Sequence, residues 1–268
     1  MKIRILVAPP ASGKTHFCIE RVIETQRTDP LAAVWFVVPD GYQAVAIQRR
    51  LAVAGGVMGV HVNTFESVFR ELLELAGRLV PLAPPPLARQ LIRDSIAIVY
   101  KRGGLDYYKP IHKLPGFVSV VQQRIRDLKR AHICPEDFLA DAQNSPPRLH
   151  ELGLIYQTYK SLLGEIAWAD REGINWLAVE QLETRPQFAP AWKLLVLDGF
   201  DSFTQLQYRA LELLAERLPE IIISLPGTTT MTRAKIEKYI GTGIPAPRNT
   251  NCTPSGATGW RIAGLPLR

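Results

Sequence analysis

Lys14, Thr15 and Asp198 are the residues whose types and surroundings point most directly to chemistry. The octapeptide Ala8-Pro9-Pro10-Ala11-Ser12-Gly13-Lys14-Thr15 closes an apolar run (Ile3, Ile5, Leu6, Val7) and opens a helical pattern from Thr15 to Thr25. Strand, loop and helix in that order make a phosphate-binding loop. Backbone N–H groups and a helix N-terminus face the β- and γ-phosphates, the lysine adds a cation, and the threonine hydroxyl ligates magnesium. Ser12, Gly13, Lys14 and Thr15 are therefore the candidate nucleotide ligands. Ala8 stands where glycine is usual, and Pro9 and Pro10 supply no N–H. The donors that matter lie later, from Ser12 to Thr15, so the prolines stiffen the loop without emptying it. The competing reading is a tight turn with a chance Gly-Lys-Thr.

The other half of this site comes from far along the chain. In Trp192-Lys193-Leu194-Leu195-Val196-Leu197-Asp198, a buried apolar run delivers Asp198 at its C-terminal end. The carboxyl ends of parallel strands line the ligand crevice, and an Asp there holds magnesium through its water shell opposite Thr15. Alternatively Asp198 is a helix cap or a turn residue. ATP and Mg are the ligands this pairing expects.

The elements that must position these residues follow from periodicity. Ala32 to Val38 reads as a buried strand ending in the turn Pro39-Asp40-Gly41. Gln43 to Ala54 reads as an exposed helix closed by Gly55-Gly56, and Val57 to Val62 as a third strand. Asn63-Thr64-Phe65-Glu66 resembles a capped start of a third helix, with Phe65, Val68, Phe69, Leu72, Leu73 and Ala76 on one face. Repeated βα units predict an α/β fold with a parallel, doubly wound sheet. Leu79 to Pro86 reads as a stiff proline-rich linker, and helical periods then run on with almost no strand signal. Ser145 is expected to cap a helix that starts at Pro146-Pro147. Gln205 to Arg217 and Glu220 to Leu225 supply a last helix and strand. The expected domains are 1–80 with 190–226, a helical insertion over 86–185, and an irregular or mobile tail over 227–268 with a short helical signal at Ala234 to Ile240.

Composition narrows the classes further. No apolar run is long enough to cross a bilayer, and the first strand leads straight into the loop with no signal-peptide pattern, so the expected location is the cytoplasm. Cys18, Cys134 and Cys252 are far apart, and the five histidines show no ligand spacing, so neither a disulfide framework nor a metal cluster is encoded. The net charge of +7 is uneven: residues 86–133 carry ten Lys or Arg against three Asp or Glu, whereas residues 134–192 carry four against nine. A polyanionic partner fits the basic block, as does a merely solvated face. In that block Phe117, Val118, Val121, Ile125 and Leu128 form an apolar stripe. Arg126, Lys129 and Arg130 are assigned to the other faces as candidate DNA contacts. Tyr107, Tyr108, Tyr156, Trp168 and Trp176 could stack on bases, but aromatics at helical spacing are more often core, and they are left unassigned.

Four stretches, in order, resemble the N-terminal part of the AddB/RexB family, the second subunit of bacterial ATP-dependent helicase-nucleases that process DNA ends. ASGKT resembles that family's Walker A loop, and FVVPDGYQAVAIQRRL and VNTFESVFREL resemble its next two motifs. LDGFDSFTQLQ resembles its degenerate Walker B. The likeness spans about residues 1 to 225. It implies a RecA-like P-loop NTPase domain with an inserted all-helical subdomain like domain 1B of superfamily 1 helicases. Lys14, Thr15 and Asp198 are the positions carried over. It also implies DNA as substrate and a motor subunit of the AddA type as partner. Superfamily 1 motors place a Glu directly after the Walker B Asp to orient water, whereas this chain has Gly199, with Asp201 two positions further. A second RecA-like domain and a nuclease carboxylate cluster are likewise missing from this length. The leading expectation is thus an ATP-binding, helicase-like module without motor activity of its own. A small-molecule P-loop kinase and a structural fragment that binds nothing are the alternatives.

Overall fold

Strand-length apolar runs alternating with helical periods call for a sheet flanked by helices. The computed structural model, which describes residues 2–142, 146–227 and 261–263, has one. The elements in chain order are β1 (Lys2–Ala8), α1 (Lys14–Thr28), β2 (Ala33–Val38), α2 (Gly41–Val53), β3 (Val60–Thr64), α3 (Phe65–Leu75), α4 (Pro85–Lys101), α5 (Pro115–Arg130), α6 (Pro135–Ala142), α7 (Pro147–Glu165), α8 (Arg171–Thr184), β4 (Trp192–Leu197), α9 (Gln205–Ala215), β5 (Glu220–Pro226) and β6 (Arg261–Ala263). The described chain divides into two units. One holds residues 2–77 and 178–227 with β6, the other residues 78–177, and the division falls within α8.

The first unit is a parallel sheet in the order β3-β2-β4-β5-β1-β6. Its central strands are buried on both faces, which is why β2 and β4 from Leu194 on read as apolar runs. Phe36, Val34, Leu194, Val196 and Ile222 pack on one face against Cys18, Ile19 and Val22 of α1 and Ala44, Ile47 and Leu51 of α2. Trp35 stacks between His61 and Trp192, at 5.0 and 5.1 Å between ring centroids. β3 starts three residues later than the sequence suggests. Gly59 adopts φ +70, a Cβ there would stand 3.1 Å from Ala32 O, and its own carbonyl accepts Val34 N–H. A strand cannot begin before that close approach is passed. α2 starts at Gly41 because Asp40 caps it, its carboxylate accepting Gln43 N–H at 2.9 Å. The expected cap at Asn63 does not occur: β3 runs directly into α3, Thr64 is the N-cap, and its side chain makes no capping bond.

The second unit, among the described residues, is built of helices. Its core gathers Leu91, Ile92 and Ile96 of α4, Phe117, Val121 and Ile125 of α5, and Leu152, Ile155, Tyr156 and Tyr159 of α7. Proline opens α4, α5 and α7 at the first helical position, where its missing N–H costs nothing. Pro146 occupies the N-cap of α7, and Ser145, expected there, lies outside the described residues. The proline-rich linker is pinned: Ala83 N–H bonds Ala169 O and Ala169 N–H bonds Pro81 O, at 2.8 and 3.1 Å. Glu151 is buried on α7, and its carboxylate accepts the backbone N–H groups of Asp106, Tyr107 and Tyr108 at 2.6 to 2.9 Å. This fixes the turn after α4.

No described helix is long and apolar enough to cross a membrane. The expected tail falls mostly outside the described residues, including its helical signal at 234–240. Within that range β6 pairs with β1, an arrangement the composition does not announce.

Candidate functional site

β1 ends at Ala8, and the chain turns through two left-handed residues, Ala11 (φ 60) and Gly13 (φ 87), before α1 begins at Lys14. Gly13 is the N-cap and brings no side-chain acceptor, and the first turn of α1 holds no acidic residue. The orphan N–H groups of that turn therefore keep their capacity for an anion. A Cβ on Gly13 would meet nothing within 4 Å, so the side of the loop it would occupy is open. Lys14 Nζ reaches back over the loop to donate to Ala8 O and Pro9 O at 2.6 and 2.8 Å, with Ser12 Oγ at 3.5 Å. Burial holds the Lys14 ammonium below the usual lysine value, and the nearby Asp198 carboxylate opposes that shift. The prolines thus contribute through Pro9's carbonyl as well as through stiffness.

Asp198 follows β4 and is 6% exposed. Its backbone N–H bonds Val37 O at 3.0 Å, its Oδ2 accepts the Thr15 hydroxyl at 2.7 Å, and its Oδ1 accepts the Ser224 hydroxyl. The two sequence-selected halves of the site, 183 residues apart, are in direct contact. Ser224 lies on β5, the strand between β4 and β1, and pairs in register with Leu6. Ser224 escaped the sequence reading, although a lone hydroxyl within Ile221-Ile222-Ile223-Ser224-Leu225 was its signal. Cys18 is fully buried on α1 one turn beyond the loop, and burial first, Asp198 second, push its thiol well above the ordinary range. It is an inert core residue.

The donor set fits a magnesium nucleotide. No group of three or more His, Cys, Asp or Glu able to hold a metal occurs among the described residues, so a protein-only cage is not on offer. One hydroxyl and one carboxylate beside an anion-binding helix end suit a cation that draws its remaining ligands from phosphate oxygens and water.

Gly199, the residue after Asp198, adopts φ +81, and Gln43 Oε1 from α2 lies 2.6 Å from where its Cβ would stand. Gln43 is a second residue the sequence reading passed over. Asp201 is exposed on the bend after β4. Phe200 and Phe203 turn inward instead and stack with each other and edge-on against Phe65. Those buried rings fix the path of the Gly199 to Thr204 turn.

The candidate DNA contacts fare differently. Lys129 is 6% exposed, and its ammonium donates to both carboxylate oxygens of Asp170 at 2.7 Å. Asp170 also accepts Tyr159 OH and Gly173 N–H. Lys129 is therefore a buried structural cation, and its assignment to a DNA face is corrected. Arg126 and Arg130 share Glu172, at 3.5 and 3.4 Å. The acidic segment that follows in sequence neutralises this end of α5.

A profile of the family described as "ADDB, N-terminal" matches residues 6–239. The chain is similar to proteins named as the B subunit of an ATP-dependent helicase/deoxyribonuclease. That of Thermoanaerobacter sp. (strain X514) is 26% identical over 86% of this chain and 20% of its own length. Those of Alkaliphilus oremlandii and Acetivibrio thermocellus are 23% and 25% identical, each over 84% of this chain and 20% of their own length. The chain spans about a fifth of the curated relatives it matches.

Proposed function

Because this chain belongs to the ADDB N-terminal family, we propose that it is the ATP-holding, helicase-like module within the B subunit of an ATP-dependent helicase/deoxyribonuclease. The observation that carries the reading is the Thr15 to Asp198 hydrogen bond, which joins the loop after β1 to the carboxylate after β4. Ser12, Gly13, Lys14 and Thr15 hold the phosphates, and Thr15 and Asp198 hold magnesium. The bound ion supplies charge neutralisation at the phosphates. Lys14 gives up neutral carbonyl partners for phosphate oxygens, a stronger charge-assisted bond.

The sheet unit is read as RecA-like (1–80 and 190–226), with residues 86–185 as its 1B-like helical insertion. The parallel sheet and the first boundary between the two units support this, while the second boundary falls earlier, within α8. With Gly199 where a motor has Glu, and Asp201 exposed, the module holds ATP without turning it over. The relatives' name supports DNA as the substrate of the assembly and a motor subunit, of the AddA type, as the partner of this one. The basic helices of 86–133 are the DNA-facing part, with Arg126 and Arg130 as the contacts proposed on α5.

Isothermal calorimetry tests the nucleotide site. Mg·ATP is expected to bind with micromolar to millimolar affinity, and Lys14→Ala is expected to weaken it at least tenfold. Undetectable binding at millimolar nucleotide, or an unchanged affinity in Lys14→Ala, removes the phosphate site and the reading with it.

A further inference from the structure

The pairing of Arg126, Lys129 and Arg130 with Glu172 and Asp170 leaves the positive charge of the helical unit elsewhere. Three of the remaining cations line a concave groove of about 510 Å³, bounded by α4, the start of α5 and the segment between them, together with the apolar Ile96, Ala97, Pro115 and Val118. Arg93, Lys101 and Lys113 line it together with Tyr100 and His112, and among the described residues no carboxylate does. Among the described residues Arg93 bonds only a neutral amide oxygen, that of Gln90, at 3.1 Å. Asp94, the acid on the neighbouring face of α4, takes the Gln90 amide N–H at 2.8 Å. Arg93, Tyr100 and Lys101 stand at i, i+7 and i+8 on one face of α4, and Arg89 precedes them by one turn with its guanidinium 3.4 Å from Pro115 O. From Arg89 to Lys101 the row runs for about 18 Å at helical rise.

The aromatic pair adds a second, independent feature. Tyr100 and His112 stack face to face, 4.0 Å apart and 16° from parallel, and Tyr100 remains 38% exposed. His112 Nδ1 lies 2.6 Å from Lys109 O and donates to it, which fixes the imidazole plane. A rigid, exposed aromatic platform beside a row of cations that make no ion pair among the described residues matches an unpaired strand: phosphates meet the cations and a base face meets the ring. A duplex hides its base faces and would leave the platform unused.

We propose that the groove formed by Arg93, Tyr100, Lys101, His112 and Lys113 binds single-stranded DNA, with Tyr100 as the base-stacking residue. The proposal rests on the DNA-facing part of the function proposed above and moves the main contact from α5 to α4.

Fluorescence anisotropy of labelled oligo(dT) with the whole 268-residue chain tests it, with circular dichroism and thermal melts confirming that each variant folds. Arg93→Glu with Lys101→Glu and Lys113→Glu is expected to weaken binding at least tenfold near 0.1 M salt. Its salt slope should fall by about 2, the yield of three lost phosphate contacts on a single strand. The milder Gln triple should do the same in smaller measure. Tyr100→Ala should weaken binding about tenfold with an unchanged salt slope. Equal affinity for a duplex of the same length, or displacement by polyglutamate as readily as by unlabelled oligo(dT), overturns the proposal. So does a charge-reversed triple that binds like the wild type. If Arg126→Glu with Arg130→Glu abolishes binding while the groove variants keep it, DNA contact stands and the groove falls. If the unaltered chain binds no oligo(dT) even at low salt, both fall.

Discussion

A Cβ built on Gly199 would meet Gln43 Oε1 at 2.6 Å while the backbone sits at φ +81. One obstacle therefore stands against the glutamate a motor would carry here, the left-handed backbone, costing an L-residue about 1 to 2 kcal/mol, while the Gln43 amide, the far end of a flexible side chain, has to move aside. Gly199→Glu is accordingly expected to lower the melting temperature without producing phosphate release from Mg·ATP. Steady turnover in a malachite-green assay would show instead that the carboxylate alone was missing. Lys14, Thr15 and Asp198 were legible from sequence because each closes a recognisable local pattern, and folding needed only to bring two patterns together. Ser224 and Gln43 belong to no such pattern. Their roles depend on β5 lying between β4 and β1 and on α2 starting at Gly41, facts of topology and capping that residue spacing near the site does not encode.

At the scale of elements, α5 shows how amphipathic reading can misplace a residue. Lys129 lies four residues after Ile125 and eight after Val121, both in the core, so helical spacing already puts it on the buried stripe. Its charge made it look like a surface residue. The compensating Asp170 is 41 positions away, beyond the reach of any local pattern. Removing one partner of a buried pair strands the other, at about 3 to 5 kcal/mol. Lys129→Met should therefore cost about that much in chemical denaturation, and adding Asp170→Leu should recover a large part of it. A loss under about 1 kcal/mol for Lys129→Met would mean that Tyr159 and Gly173 suffice to satisfy the carboxylate. Strand boundaries were less legible than strand identities. The late start of β3 is set by Gly59 crowding Ala32 O, a contact between two turns.

For the molecule as a whole, the proposed ligand sites fall in different units: the nucleotide site in the sheet unit, and the groove of cations in the helical one. Nucleotide at a hundredfold excess over its dissociation constant stabilises the unit that binds it by about 2.7 kcal/mol. Differential scanning calorimetry with saturating Mg·ATP should then raise the transition of the sheet unit by a few degrees, and Lys14→Ala should abolish the shift. Equal shifts in every transition would mean that the chain melts as one cooperative body. The switch from alternating strand and helix to uninterrupted helix near residue 80 lies close to the first boundary between the units, whereas the second falls inside α8, where no change of periodicity marks it. The pairing of β6 with β1 was not legible, because three residues in a Gly- and Pro-rich stretch carry no periodicity.

By taking three consecutive backbone N–H groups, the Glu151 carboxylate sets the start of the segment that carries His112 and Lys113 before any ligand arrives. A strand entering the groove then meets side chains whose supporting backbone has little freedom left to surrender, so less of the gross contact energy goes into ordering. Loosening that one carboxylate would weaken binding through entropy, with every contacting side chain still in place.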